Sequence, residues 1–128
     1  MLSLAPGMRI YLHTAPIDMR KSFDALFGIV TSDFARDVRQ GGLYLFINQS
    51  CNRIKLLYWD NDGLAIWMKR LEAGTFQRPV AAVDAKHVVL DVTQLQLLLS
   101  GIELATVKRR KRYTSPIKLQ EFEAISAS

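Results

Sequence analysis

Five consecutive cations, Lys108-Arg109-Arg110-Lys111-Arg112, form the densest chemical feature of the sequence. Mutual repulsion keeps such a run extended until a polyanion neutralises it, and each DNA phosphate contacted releases condensed counterions. The run predicts salt-sensitive affinity for nucleic acid. Its plainer reading is a solubilising tail without a defined partner. A second set of cations, Arg53, Lys55, Lys69 and Arg70, is interleaved with Tyr44, Phe46, Tyr58, Trp59 and Trp67. Cations beside rings on one sheet face can hold phosphates while the rings stack bases. A core also needs rings, so the five aromatics are assigned to the core and the four cations to an outer edge that contacts DNA.

Other groups invite chemistry and find simpler explanations. Arg20 and Lys21 follow Asp18 at an expected helix start, where exposed N–H groups could hold a phosphate; Asp18 as N-cap would already occupy those donors. Asp60 and Asp62 suggest calcium, but the further oxygen ligands and late glutamate of a calcium loop are missing. They could serve a two-metal nuclease only if Asp18, Asp84 or Asp91 joined them in space. Turn chemistry accounts for Asp60-Asn61-Asp62-Gly63 without a metal. His13 and His87 stand far apart on expected strands and read as structural. Cys51 is the only cysteine, so neither an intrachain disulfide nor a multi-cysteine zinc site is expected. No catalytic, cofactor-binding or metal-binding residue is assigned, and the chain is expected not to be an enzyme.

The elements that must carry these residues follow from periodicity. Met8 to His13 alternates as a first strand, ended by Pro16. Met19, Phe23, Leu26, Phe27, Val30 and Phe34 recur at helical spacing, predicting an amphipathic helix of about four turns capped by Asp18. Gln40-Gly41-Gly42 breaks the chain. Leu43–Asn48, Arg53–Asp60 and Leu64–Arg70 predict an antiparallel meander with its second strand central. The Asn48–Asn52 loop joins the first two strands, and Asp62-Gly63 supplies positive φ to the second turn. Val83–Asp91 predicts another strand. A short helix follows, with Thr93 and Gln96 at capping-box spacing, Val92 and Leu97 as a staple, and Leu95, Leu98, Leu99 and Ile102 as its buried stripe. Gly101 should stop it.

The expectation is one α+β domain over residues 1–105: a mostly antiparallel sheet of four to five strands packed by one long helix, with a short C-terminal helix. Residues 106–128 form a basic tail. A chain of 128 residues suits a single core. Net charge is +5, with 11 Lys and Arg against 10 Asp and Glu up to residue 107, and 6 against 2 beyond it. The body is almost neutral and the basicity is terminal. No signal peptide or membrane-spanning run is expected, which fits a cytoplasmic protein, with association to the nucleoid as a possible extension.

Four segments taken together resemble a known family: Asp18-Met19-Arg20-Lys21-Ser22-Phe23-Asp24, Arg53-Ile54-Lys55-Leu56-Leu57-Tyr58-Trp59-Asp60, Asp62-Gly63-Leu64-Ala65-Ile66-Trp67 and Lys69-Arg70-Leu71-Glu72-Ala73-Gly74-Thr75-Phe76. Their order is similar to that of TnpB, the second-reading-frame accessory proteins of insertion sequences of the IS-sixty-six class, over residues 1–104. The sequence departs from that pattern at Ser22, where glycine is usual, and at Arg39-Gln40-Gly41-Gly42, where a Pro-x-x-Gly turn is usual. The resemblance implies a protein encoded beside a separate transposase that holds the catalytic acids. The expected function is a non-catalytic accessory factor of transposition that contacts transposon DNA, the transposase, or both. Two alternatives stand beside it: a protein–protein adaptor that never touches nucleic acid, and a small metal-dependent nuclease.

Overall fold

Leu43-Tyr44-Leu45-Phe46-Ile47 is apolar at every position, so a strand built from it must be covered on both faces. The computed structural model, which describes residues 4–79 and 84–101, places that strand in the middle of a five-stranded sheet. In chain order the elements are β1 (Ile10–His13), α1 (Phe23–Asp33), β2 (Leu43–Ile47), β3 (Arg53–Asp60), β4 (Gly63–Arg70), β5 (His87–Leu90) and α2 (Val92–Ser100). A single 3-10 turn at Val38–Gln40 precedes β2. The order across the sheet is β4-β3-β2-β1-β5. β1 and β2 run parallel because α1 crosses between them, whereas β2–β3, β3–β4 and β1–β5 are antiparallel. The fold is therefore α+β with a mostly antiparallel sheet, as expected. β3 is the middle strand of the meander, but β2 is central in the full sheet.

Alternation sorts the side chains into two cores. Tyr11, Tyr44, Phe46 and Leu57 face α1, which buries Leu26 and Val30 against them and continues into buried Phe34 and Val38. Ile10, Leu12, Leu43, Leu45, Ile47, Ile54 and Leu56 face the other way. There they meet Leu95 and Leu98 of α2, with Leu71 and Phe76 from the segment after β4. Each of these buried aliphatic side chains contributes about 1.5–3 kcal/mol relative to exposure. Both faces are thus covered, where a single long helix had been expected to carry the packing.

α1 is shorter than its periodicity predicts. It spans 11 residues and begins after Ser22, whose side chain makes no capping bond. Asp18 is not its N-cap. Ile17 donates its backbone N–H to the Ile47 carbonyl at 3.0 Å, which holds the preceding chain extended along the sheet. Asp18 then closes a turn by accepting from the Arg20 N–H at 2.9 Å. α2 is capped by Asp91, not Thr93. The Asp91 carboxylate accepts from Gln94 N–H at 2.7 Å, and the Gln94 side chain accepts from Asp91 N–H at 2.9 Å. Gly101 ends α2 in the left-handed region, with φ 84°.

The β3–β4 hairpin also differs in detail. Asp60 and Gly63 face each other across a two-residue loop, yet the positive φ belongs to Asn61 at 56° rather than to Gly63. Asparagine tolerates that region. The strand expected over Val83–Asp91 is shorter than that run: Asp84 to Lys86 are turn and irregular, and β5 begins only at His87. Val83 itself, the stripe residue Ile102 and the whole of 106–128 lie outside the described residues.

Candidate nucleic-acid interface

Lys55 occupies the middle of β3 opposite Phe46, so its stem points into the α1-side core. It is 8% exposed, and its ammonium donates to the carbonyls of Met19 at 2.7 Å and Lys21 at 2.8 Å. Lys55 therefore does not lie on an outer cationic edge. An ammonium needs acceptors when buried, and two backbone carbonyls of the 18–21 turn supply them. The result fixes that turn over the end of the sheet.

Arg53 stands two residues earlier on the same face and directly opposite Arg70 of β4. Like charges in opposed sheet positions repel. Arg70 turns away to Glu72, whose carboxylate accepts from Nε at 3.1 Å and Nη2 at 2.9 Å. Among the described residues Arg53 has no such carboxylate. It faces a cleft of about 520 Å³ together with Asp18, Arg20, Gln49, Ser50 and Met68. Lys69 faces the opposite side of the sheet, opposite Ile54. The structure thus brings Arg53 and Arg70 together, adds Arg20, buries Lys55 and separates Lys69.

The other wall of the cleft is a self-contained ion pair. Asp18 accepts from Arg20 Nε at 3.1 and 3.0 Å and from Nη2 at 2.6 Å. That hydrogen bonding holds the Asp18 carboxyl down at about 2, and raises the Arg20 guanidinium above its ordinary value. Asp37 and Arg39 repeat the same two-residue fork, with Nη2 to carboxylate at 2.8 Å. Again the arginine's hydrogen bonds lower the aspartate. Arg20 remains almost fully exposed, with its side chain 92% accessible. A surface pair of this kind is worth little in water, so a phosphate can draw on its guanidinium at small cost.

The floor is set by the loop between β2 and β3. Asn48 accepts from the N–H groups of Asn52 and Arg53 through one side-chain oxygen, both at 3.0 Å, and donates to the Asn52 side chain at 2.8 Å. Cys51 takes φ 56° within it. Arg78 reaches back from the segment after β4 to donate to the Asn48 carbonyl at 2.7 Å. That brace was not foreseen; a loop arginine 30 positions away carries no local signal.

The aromatics behave as core: Tyr44 and Phe46 are fully buried, while Tyr58, Trp59 and Trp67 are half-buried. His13 and His87 prove to be direct partners across β1 and β5. Asp60 and Asp62 sit on an exposed turn, and among the described residues no three carboxylate, histidine or cysteine side chains gather closely enough to hold a metal ion. Lys108 to Arg112 lie outside the described residues.

Comparison with known proteins gives a consistent answer. The model of a family described as IS66 Orf2 like protein matches residues 8–109. An uncharacterized protein of Sinorhizobium fredii, y4jC, is 31% identical over 110 residues, spanning 86% of this chain and 92% of the relative. A second uncharacterized protein of that organism, y4hO, is 31% identical over 103 residues, spanning 80% and 88%. No solved structure matches.

Proposed function

The chain belongs to the IS66 Orf2-like family, associated with insertion-sequence transposition, and on that premise we propose that it is a non-catalytic accessory factor that holds transposon DNA. The chemistry of strand cutting then belongs to a separate transposase, which is the second proposed partner. The carrying observation is Arg53: it faces a cleft beside Arg20, opposite Arg70, and among the described residues no carboxylate pairs with it. A guanidinium in that setting suits a phosphate oxygen, because a planar fork can bind it through two parallel hydrogen bonds. Arg53 and Arg70 form the ordered contact, and Lys69 adds charge from the other face. Lys108 to Arg112 contribute non-specific phosphate affinity. No residue is given base-reading work.

No described helix is long and apolar enough to cross a membrane. The proposed DNA substrate belongs in the bacterial cytoplasm, and the same proposal extends to the protein. The test is binding to terminal-repeat DNA by fluorescence anisotropy across a salt series. Each phosphate contact contributes about 0.9 to the slope of log affinity against log salt. Arg53→Ala should flatten the slope by about one contact, and neutralising residues 108–112 by up to about five. A wild-type chain that captures the transposase but shows no salt-dependent DNA binding would establish the adaptor reading instead.

A further inference from the structure

Among the described residues, β4 is one of the two edges of the sheet. It is twice as long as β5, eight residues against four, and its register with β3 runs without interruption from Asp60↔Gly63 to Arg53↔Arg70. A long unbroken edge offers a row of free N–H and C=O groups, and proteins usually blunt one with proline, a bulge or internal charge. β4 has none of these between Leu64 and Met68, where the sequence reads Leu-Ala-Ile-Trp-Met. Its Met68 is 47% exposed.

The direction of the edge groups follows from the ladder. Leu71 donates its N–H inward to the Asn52 carbonyl at 2.8 Å. Peptide directions alternate along a strand, so Leu64, Ile66, Met68 and Arg70 present N–H and C=O outward. The charges are also arranged asymmetrically: Asp60 and Asp62 precede the strand, and Lys69 and Arg70 end it. An antiparallel copy of the strand reverses that order and brings opposite charges together.

We propose that β4 pairs with β4 of a second copy of this chain, forming a ten-stranded sheet about a two-fold axis at Ile66. Antiparallel pairing about an axis normal to the sheet keeps each face continuous only when opposed positions share a face. Centring on Ile66 satisfies this and sets outward-facing groups against each other. It places Leu64 opposite the partner's Met68 and Ala65 opposite the partner's Trp67, and it brings the turn residue Asp62, just before the strand, to the end where the partner's Arg70 lies. Centring on Trp67 would set Leu64 against the partner's Arg70 and Ala65 against the partner's Lys69, mating apolar side chains with cations. Centring on Ala65 would set Asp62 against the partner's Met68. The Ile66 register alone matches both charge and apolar character. Arg70 exchanges Glu72, an exposed partner, for the partner's Asp62, and the pairing needs no nucleic acid.

Sedimentation equilibrium of the full-length chain, without DNA, tests this between about 1 and 200 µM. The expected result is a monomer–dimer equilibrium weakened about tenfold or more by Met68→Pro, because proline removes an outward N–H while leaving the β3 ladder intact. Should that variant fold poorly, the exposed charges decide. Asp62→Arg and Arg70→Asp should each weaken the dimer, and the double variant should restore it. A wild-type chain that stays monomeric throughout overturns the proposal, as does a dimer indifferent to both single charge reversals. A monomer whose Leu64, Ile66 and Met68 amides resist hydrogen exchange would show that the chain covers this edge itself, and would also overturn it.

Discussion

The His13 ring ties the end of one strand to the end of the crossover helix, with Nε2 2.8 Å from the Asp33 carboxylate and Nδ1 2.9 Å from the Ala15 carbonyl. His13 is the last residue of β1, and Asp33 the last of α1. A carboxylate at a helix C-terminus opposes the helix dipole, and α1 has no basic residue in its last turn to offset it. His13 reaches that carboxylate from outside the helix and gives it a hydrogen-bond partner. The crossover between the parallel strands is thereby tied at the end where α1 turns back towards β2.

Acid stability should report that tie. The His13 hydrogen bond is the main cause that holds the Asp33 carboxyl below the usual carboxylate range, against a smaller desolvation that raises it. A depressed folded value stabilises the protein above the unfolded value, and that stabilisation disappears as pH falls through the depressed one. Wild-type stability should therefore decline below about pH 4 with a contribution that Asp33→Asn lacks. Urea unfolding of both proteins at several pH values would measure it. Parallel curves for the two would remove Asp33 from the explanation.

The cap of α2 can be assigned by substitution. Asp91→Ala should cost about 1 kcal/mol, since it removes an acceptor for Gln94 N–H and breaks a reciprocal pair. Thr93→Ala should be near neutral. Thermal unfolding of the two variants discriminates them, and a larger loss at Thr93 would return the cap to that residue.

That pair also shows what the chain reveals before its fold is known. Thr93 and Gln96 have capping-box spacing, and so do Asp91 and Gln94; a one-dimensional pattern cannot choose between them. The choice is made by Leu90, which belongs to β5 and is buried. β5 must run to Leu90, so the turn into the helix falls at Asp91. Asp18 failed for a similar reason. Ile17 is held by Ile47 on the sheet, so the chain cannot become helical until the turn at Asp18 to Lys21 is complete. Four of the five strands were legible within a residue or two because apolar runs and turn residues are local, whereas β5 starts at His87, four positions after the run from Val83 predicts. Strand order, the parallel β1–β2 pair and the burial of Lys55 depend on contacts between distant segments. The α1-side face of the sheet carries Arg53 and Lys55 two residues apart, and only the position of the 18–21 turn sends one to solvent and the other inside.

Gly42 is required by both backbone and space. It takes φ +92°, a region L-residues avoid, and a Cβ there would stand 3.0 Å from Tyr11 Cε2. Tyr11 cannot yield easily, because it stacks on Tyr44 at 5.2 Å and carries the Arg36 guanidinium over its ring, 4.5 Å from the centroid. Gly42→Ala should destabilise by about 1–3 kcal/mol. Gly28, on α1 with open space around its Cα, should accept alanine and gain up to about 1 kcal/mol. Chemical denaturation of both variants checks the contrast; equal effects would mean that the Tyr11 stack can shift freely.

Lys55 offers the sharpest separation of structural from electrostatic roles. Its ammonium satisfies the Met19 and Lys21 carbonyls, so Lys55→Met keeps much of the stem's volume but leaves both acceptors facing an apolar tip. Unsatisfied buried acceptors cost about 1–3 kcal/mol, and the variant should unfold at correspondingly lower urea. Arg53→Ala, at a half-buried position, should cost less. DNA binding should divide the other way. Arg53→Ala lowers the salt slope because a phosphate contact is lost. Lys55→Met, measured where the protein remains folded, leaves the slope unchanged, because the ammonium is spent on two backbone carbonyls and contacts no phosphate. A Lys55→Met protein with full stability and a reduced salt slope would mean that the ammonium faces phosphate rather than the chain, reversing the assignment of both residues.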